Sequence, residues 1–198
     1  MMTFPNAYMN AVKHAGSVSM LPGAISGNIN KYSIDEIYRN HEYFLKYNNG
    51  VYPSLALKTF LIAKNNPKMI ITDKSLEFSE LKYKVNLKSN KYQSISPMRF
   101  YKLYNGLYSH MYCSAVDIMD SYDALKMGKK PIIDPAVFKD KIVVIGANVP
   151  AGTGLNDNKN SPIAINHPGV DIQATAIDNI LNNDFLKIIP QWLPNFIF

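Results

Sequence analysis

A chain of 198 residues with 47% hydrophobic composition can fill one sizeable core, and a single domain is expected. Its 21 Lys and Arg against 15 Asp and Glu leave a formal charge of +6. Only Arg39 and Arg99 are arginines and the lysines are dispersed, which argues against nucleic acid as a partner, because guanine and phosphate recognition favours arginine forks. Cys113 is the lone cysteine, so an intrachain disulfide and a cysteine metal cluster are excluded.

The opening MMTFPNAYMNAVKHAG has neither the charged start nor the apolar stretch of a secretory signal, and Phe4 to His14 has helical spacing. VSML, Val18 to Leu21, reads as a short buried strand before Pro22 and Gly23. Residues 26–52 are polar, aromatic and Asn-rich, and irregular structure with one or two edge strands is expected. Pro53 suits the first turn of a helix, PSLALKTFLIAKN, with Leu55, Thr59 and Ile62 on one face. KMIIT, from Lys68, reads as a strand; LKYKVNL, from Leu81, alternates like a half-buried one; RFYKLY, from Arg99, is a further candidate.

Ser114 followed by Asp117 resembles a capping box, and Gly128 stands where the helix it opens would end. Asp117, Asp120 and Asp123 fall at three-residue steps; early carboxylates favour the helix dipole and water, so no metal site is expected from them. PAVFKD makes a helical turn. Lys141 to Gly146, KIVVIG, is the clearest strand in the chain, apolar on both faces as in the middle of a parallel or mixed sheet. A helix from Gly169 to Asn183 places Val170, Ala174, Ile177 and Leu181 in an apolar stripe. Interleaved strands and helices predict an α/β fold: a layered mixed sheet with flanking helices in a single domain.

No catalytic or cofactor pattern emerges. After KIVVIG the glycines of GANVPAGTG are broken by Pro150 and separated from the next helix by a polar loop, unlike a dinucleotide turn, and no Gly-Lys-Ser or Gly-Lys-Thr follows. His14, His41, His110 and His167 lack metal-ligand spacing, and no Ser sits in a nucleophile elbow. No catalytic residue, metal ligand or cofactor is therefore expected. IIPQWLPNFIF at the end, with Trp192, Phe196 and Phe198, mixes aliphatics and aromatics as chains do at a lipid interface, though no run reaches the ~20 apolar residues of a span.

KDKIVVIGANVPAG, Asp157, SPI and HPGVDIQATAIDNIL together resemble the type-2 CHASE domain, a sensory extracellular module associated with cyclases and histidine kinases. The structural signature is carried by Gly146, Ala147, Pro162, Pro168, Gly169 and Ala174, with Asp157 and Val170 also matching; YPSLALKTF and SAVDIMDSYDAL are weaker matches upstream. Two departures are visible: Gln173 and Thr175 stand where the family has His and Asn, and extra residues lie near Thr153 and Gly154. The resemblance implies a CHASE-type domain over residues 1–189 without its usual N-terminal start, then the beginning of a membrane-proximal segment at 190–198.

It further implies an extracytoplasmic (periplasmic) ligand-sensing domain of a bacterial membrane receptor of cyclase or kinase type, without catalysis of its own. The candidate ligand residues are Asn148, Asp157 and Gln173. Expected partners are a small-molecule ligand, the membrane through a C-terminal span, an output cyclase or kinase domain, and a second copy, but no nucleic acid. The alternatives are a divergent nucleotide-binding α/β enzyme domain or the remnant of a split receptor gene. Gly146 and Ala147 are expected to let the helix from Gly169 approach the strand end closely.

Overall fold

Among the described residues Asn40–Tyr47 forms the first strand, β1, and β-hairpin pairing with β2 (Gly50–Pro53) follows at once, Phe44 opposite Pro53 and Tyr47 opposite Gly50. The computed structural model describes residues 35–47, 50–72, 74–89, 93–104, 106, 108–148 and 157–186. The expected helix at Phe4–His14, the strand at Val18–Leu21 and the aromatic tail lie outside these residues. After β2 come α1 (Leu55–Ala63), β3 (Met69–Ile71), β4 (Ser75–Phe78), β5 (Tyr83–Asn86), β6 (Lys88–Ser89) and β7 (Gln93–Pro97). Then follow α2 (Ala115–Lys126), a 3-10 turn at Pro135–Phe138, β8 (Asn158–Ser161), β9 (Ala164–Pro168) and α3 (Gly169–Asn182).

The α/β layering in a single domain stands. Its sheets are antiparallel, in the orders β2-β1-β7-β6, β3-β4-β5 and β8-β9. A parallel bridge, Ile37 to Asn160, ties the start of the described chain to β8. β2 is an edge strand, as expected within residues 26–52, whereas β1 is interior, paired with β2 on one side and β7 on the other, and its side chains from His41 to Phe44 are all buried. A bulge between Glu42 and Phe44 turns consecutive residues inward.

Pro53 closes β2 rather than opening α1; Ser54 is the cap, its Oγ accepting from the Leu57 amide at 3.2 Å. The buried face of α1 is Ala56, Leu57 and Phe60, opposite to the predicted Leu55, Thr59 and Ile62. The bulkier Leu57 and Phe60 set the orientation, since the Phe60 ring lies 4.7 Å from that of Phe78, tilted by 57°, and packs with Leu76 and Val85 in the same core. Full burial of each such side chain contributes about 1.5–3 kcal/mol. Met69–Ile71 and Tyr83–Asn86 are strands as read, as is the Asp134-capped turn at Pro135. α2 begins at the Ser114 cap and stops before Gly128, whose φ of 67° relieves the helix end.

Two expected strands are absent. Arg99 to Tyr104 joins no ladder because the side-chain amide of Asn179 occupies both backbone groups of Arg99, accepting from its N–H at 2.8 Å and donating to its carbonyl at 3.0 Å. Lys141 to Gly146 is a bare ribbon: no described strand pairs with it, and Ile142, Val143 and Ile145 are 43%, 54% and 93% exposed. Only Val144 reaches the core.

α3 is buried over more of its circumference than the predicted stripe of Val170, Ala174, Ile177 and Leu181. Ile172, Ala176, Ile177 and Ile180 face the core with α1, while Asp171, Thr175 and Asn179 are also buried. Asp171 and Asn179 hydrogen-bond the backbone of residues 99–110, and the Thr175 hydroxyl donates to the Asp171 carbonyl one turn back, so burial there follows polar satisfaction rather than hydropathy.

Candidate functional site

The first turn of α3 is where distant parts of the chain converge. A Cβ on Gly146 would lie 2.7 Å from the Val170 Cβ, so the ribbon end touches the helix as closely as two backbones with one side chain allow. A Cβ on Gly169 would overlap the carboxylate and carbonyl of Asp157. Pro168, buried with φ −60°, sets the approach, and Pro162 is exposed in the β8–β9 turn. Ala147 is exposed and Ala174 half-buried.

The candidate ligand residues surround this turn. Asn148 is exposed, its Nδ2 donating to the Tyr108 hydroxyl at 2.7 Å. Asp157 is half-buried against Gly169, and Lys159 Nζ stands 3.9 Å away. Burial raises the Asp157 pKa above its ordinary value, with Lys159 opposing. Gln173 is one helical turn beyond Gly169 on the same side. Its Oε1 is buried and has no hydrogen-bond partner among the described residues.

Beneath that surface lies a network the sequence reading missed. Asp171 accepts four hydrogen bonds: from His167 Nε2 (2.6 Å) and Ser109 N–H (3.0 Å) on Oδ2, and from His110 Nδ1 (2.8 Å) and His110 N–H (3.2 Å) on Oδ1. Burial alone would raise its pKa; the bonds from His110, His167 and Ser109 outweigh it and hold the carboxyl well below the usual carboxylate range. Because an ionised carboxylate only accepts, both ring nitrogens facing it carry protons. His110 Nε2 then points toward Asp178 at 3.9 Å.

Ser161 Oγ lies 2.8 Å from His167 Nδ1, completing a Ser-His-Asp line. It is not arranged for nucleophilic attack. His167 is fully buried, and Ser161 Oγ already accepts from the amides of Ile163 and Ala164 in the hairpin turn. The line ties the β8–β9 hairpin to α3 and residues 109–110. A sequence signal existed: His167 and Asp171 are four residues apart at a helix start, a spacing that brings side chains together.

A second polar group lies under β1. Glu42 is 2% exposed, and its Oε1 has no hydrogen-bond partner among the described residues. Burial pushes its pKa up to about 7. Burial likewise pushes His41 down to about 4, with the Tyr38 hydroxyl 3.0 Å from its Nδ1. Among the described residues no group of three His, Cys, Asp or Glu could hold a metal ion, and no helix is long and apolar enough to cross a membrane.

Compared with known proteins, the chain matches the CHASE2 domain over residues 4–197. Nothing among the curated proteins matches it, nor does any solved structure. CHASE2 domains are extracellular sensory domains. With nearly the whole length covered, and with the ribbon end, Asp157 and α3 meeting at the signature glycines, this chain belongs to the CHASE2 domain family.

Proposed function

We propose that the chain is the ligand-sensing domain of a bacterial transmembrane receptor with adenylate cyclase or kinase output, placed on the extracytoplasmic face and carrying no catalysis of its own. The observation that carries this reading is the partnerless, buried Oε1 of Gln173 beside the Asp157–Gly169 contact. An unsatisfied buried acceptor costs about 1–3 kcal/mol, which a ligand donor recovers on binding. Gln173, Asp157 and Asn148 supply a carboxylate and two side-chain amides around a single helical turn, a set suited to a small polar ligand rather than to bond-making chemistry.

Transmission follows from α3. Its start carries the site, and its far end leads into residues 185–198, which the family resemblance sets near the membrane. A ligand that prefers one arrangement of the loop and helix by tenfold shifts the balance by about 1.4 kcal/mol. Residues 1–189 then form the sensor and 190–198 the membrane-proximal segment.

The test is thermal-shift titration of the full chain with amino acids, organic acids, sugars and nucleotides. One class is expected to raise the melting temperature without being consumed, and Gln173→Ala should abolish that shift while leaving the unliganded melt in place. A nucleotide that both stabilises the chain and is turned over would replace this reading with an enzymatic one.

A further inference from the structure

Taking the first turn of α3 as the sensory site, we propose that a proton on Glu42 gates it: bound, it keeps β8 and Asp157 seated on the helix start, and lost, it releases them. Glu42 is 2% exposed and stands opposite Ile95, immediately before the bulge in β1. Its Oε1 has no hydrogen-bond partner among the described residues. A protonated carboxyl tolerates such a place. A carboxylate does not, because a buried charge without donors costs far more than an unmade hydrogen bond. Charging Glu42 therefore favours an arrangement of β1 that admits water, and the bulge, where the ladder is already interrupted, is where the strand yields.

That movement reaches the site by two routes. The segment leading into β1 supports β8: Ile37 and Asn160 form the parallel bridge, and the Tyr38 amide donates to the Asn160 carbonyl at 2.6 Å. Asn160 is three residues from Asp157, whose carbonyl and carboxylate press on Gly169. The second route is electrostatic. Burial, with the carboxyls of Glu42 and then Asp157 adding to it, holds the Tyr38 hydroxyl well above its ordinary pKa, so both carboxyls act on one buried group and a charge gained at Glu42 weighs against that of Asp157. The other groups around Glu42 do not titrate near neutrality. His41, its Nδ1 3.0 Å from the Tyr38 hydroxyl and its Nε2 3.4 Å from Ser54 at the α1 cap, is held by burial at about 4, and burial keeps Tyr43 protonated. From β7 come Ile95 and Ser96, without charge; beside Asp157 stands Lys159, a cation throughout.

Hydrogen exchange of the full chain between pH 6 and pH 8, with no ligand added and each rate corrected for intrinsic exchange, tests the gate. With Glu42 titrating at about 7 when closed and near 4.3 when open, the open fraction rises about tenfold across this interval. The rise is expected at the Tyr38 amide and in the β8–β9 hairpin, which should exchange ahead of α1 and β4, and it should vanish in Glu42→Gln. In the wild type the Glu42 carboxyl carbon resonance should titrate with the same midpoint. A rise confined to the slowest amides of α1 and β4 makes Glu42 a determinant of global stability alone and overturns the proposal. So does a rise that persists in Glu42→Gln, which would assign the proton to Asp157, or a Glu42 midpoint well away from that of the exchange. Because no ligand enters, these outcomes are independent of the thermal-shift titration that tests the sensory reading itself.

Discussion

His167 Nε2 lies 2.6 Å from Asp171 Oδ2, both groups closed off from water at the start of α3. The pair is the hub through which the β8–β9 hairpin, the segment at Ser109 and His110, and the helix are held in one arrangement. A charge buried this deeply is tolerated because each oxygen has two donors.

Removing that hub should be costly. Asp171→Ala leaves His167 and the Ser109 amide facing an apolar gap, and a loss of about 3–5 kcal/mol is expected in urea denaturation. The pH dependence has a definite sign. The folded pKa of Asp171 is depressed, so the unfolded chain binds the extra proton and stability rises with pH. Its contribution is complete above the ordinary carboxylate value near 4 and declines as pH falls below it. Asp171→Asn should flatten the melting-temperature profile in that acid limb.

Glu42 acts in the opposite sense. Its folded pKa of about 7 exceeds the unfolded value, so the folded chain holds the proton longer. Stability from this group is full below about 4.3 and is lost as pH rises through 7, on the order of 2–3 kcal/mol. His41, depressed to about 4, destabilises as pH falls below about 6.5, so the two oppose each other across the mildly acidic range. The difference between wild type and Glu42→Gln isolates the first: the variant should be the more stable at pH 8, and the gap should close by about pH 4.

Gly169→Ala should destabilise by about 1–3 kcal/mol, because the added methyl meets the Asp157 carbonyl and carboxylate and one side of the contact must move. Chemical denaturation will measure it. An unchanged midpoint would mean that the α3 start and Asp157 are not pressed together.

Asn179→Ala frees both backbone groups of Arg99 and takes a donor from the Tyr101 hydroxyl. About 1–3 kcal/mol is expected for the amide left without a partner. Hydrogen exchange at Arg99 should speed up well ahead of that at β1 amides.

Local chemistry was readable at several positions where a single residue decides the outcome, though not at Pro53, where Ser54 turned out to be the cap. Ser114 and Gly128 bracket α2, a turn forms at Pro135, and Gly146 and Gly169 sit at contacts that exclude a Cβ. What hydropathy misread depends on neighbours far along the chain. Lys141–Gly146 has the composition of a central strand, yet a strand needs a ladder partner, and none of the described strands lies beside it. Arg99–Tyr104 has strand-like residues, but Asn179, some eighty positions later, takes its hydrogen bonds. The α3 stripe was displaced for the same reason: Asp171 and Asn179 look like surface residues until their distant partners are known. The candidate ligand residues were found through family likeness, while Glu42 and the His110–Asp171–His167 hub carry no motif beyond a four-residue interval.

The bare ribbon has one more consequence, for handling and for the cell. Ile142 to Ile145 offers successive amides and carbonyls that join no ladder among the described residues, along a β-branched run of low charge, the kind of template on which further chains stack in cross-β order. Its flanking Lys139, Asp140 and Lys141 act as gatekeepers at one end only, and the other end tapers into Gly146 and Ala147. Newly made chains therefore gain from anything that shields this stretch early, and a lysine in place of Val143 should raise soluble yield without touching the core.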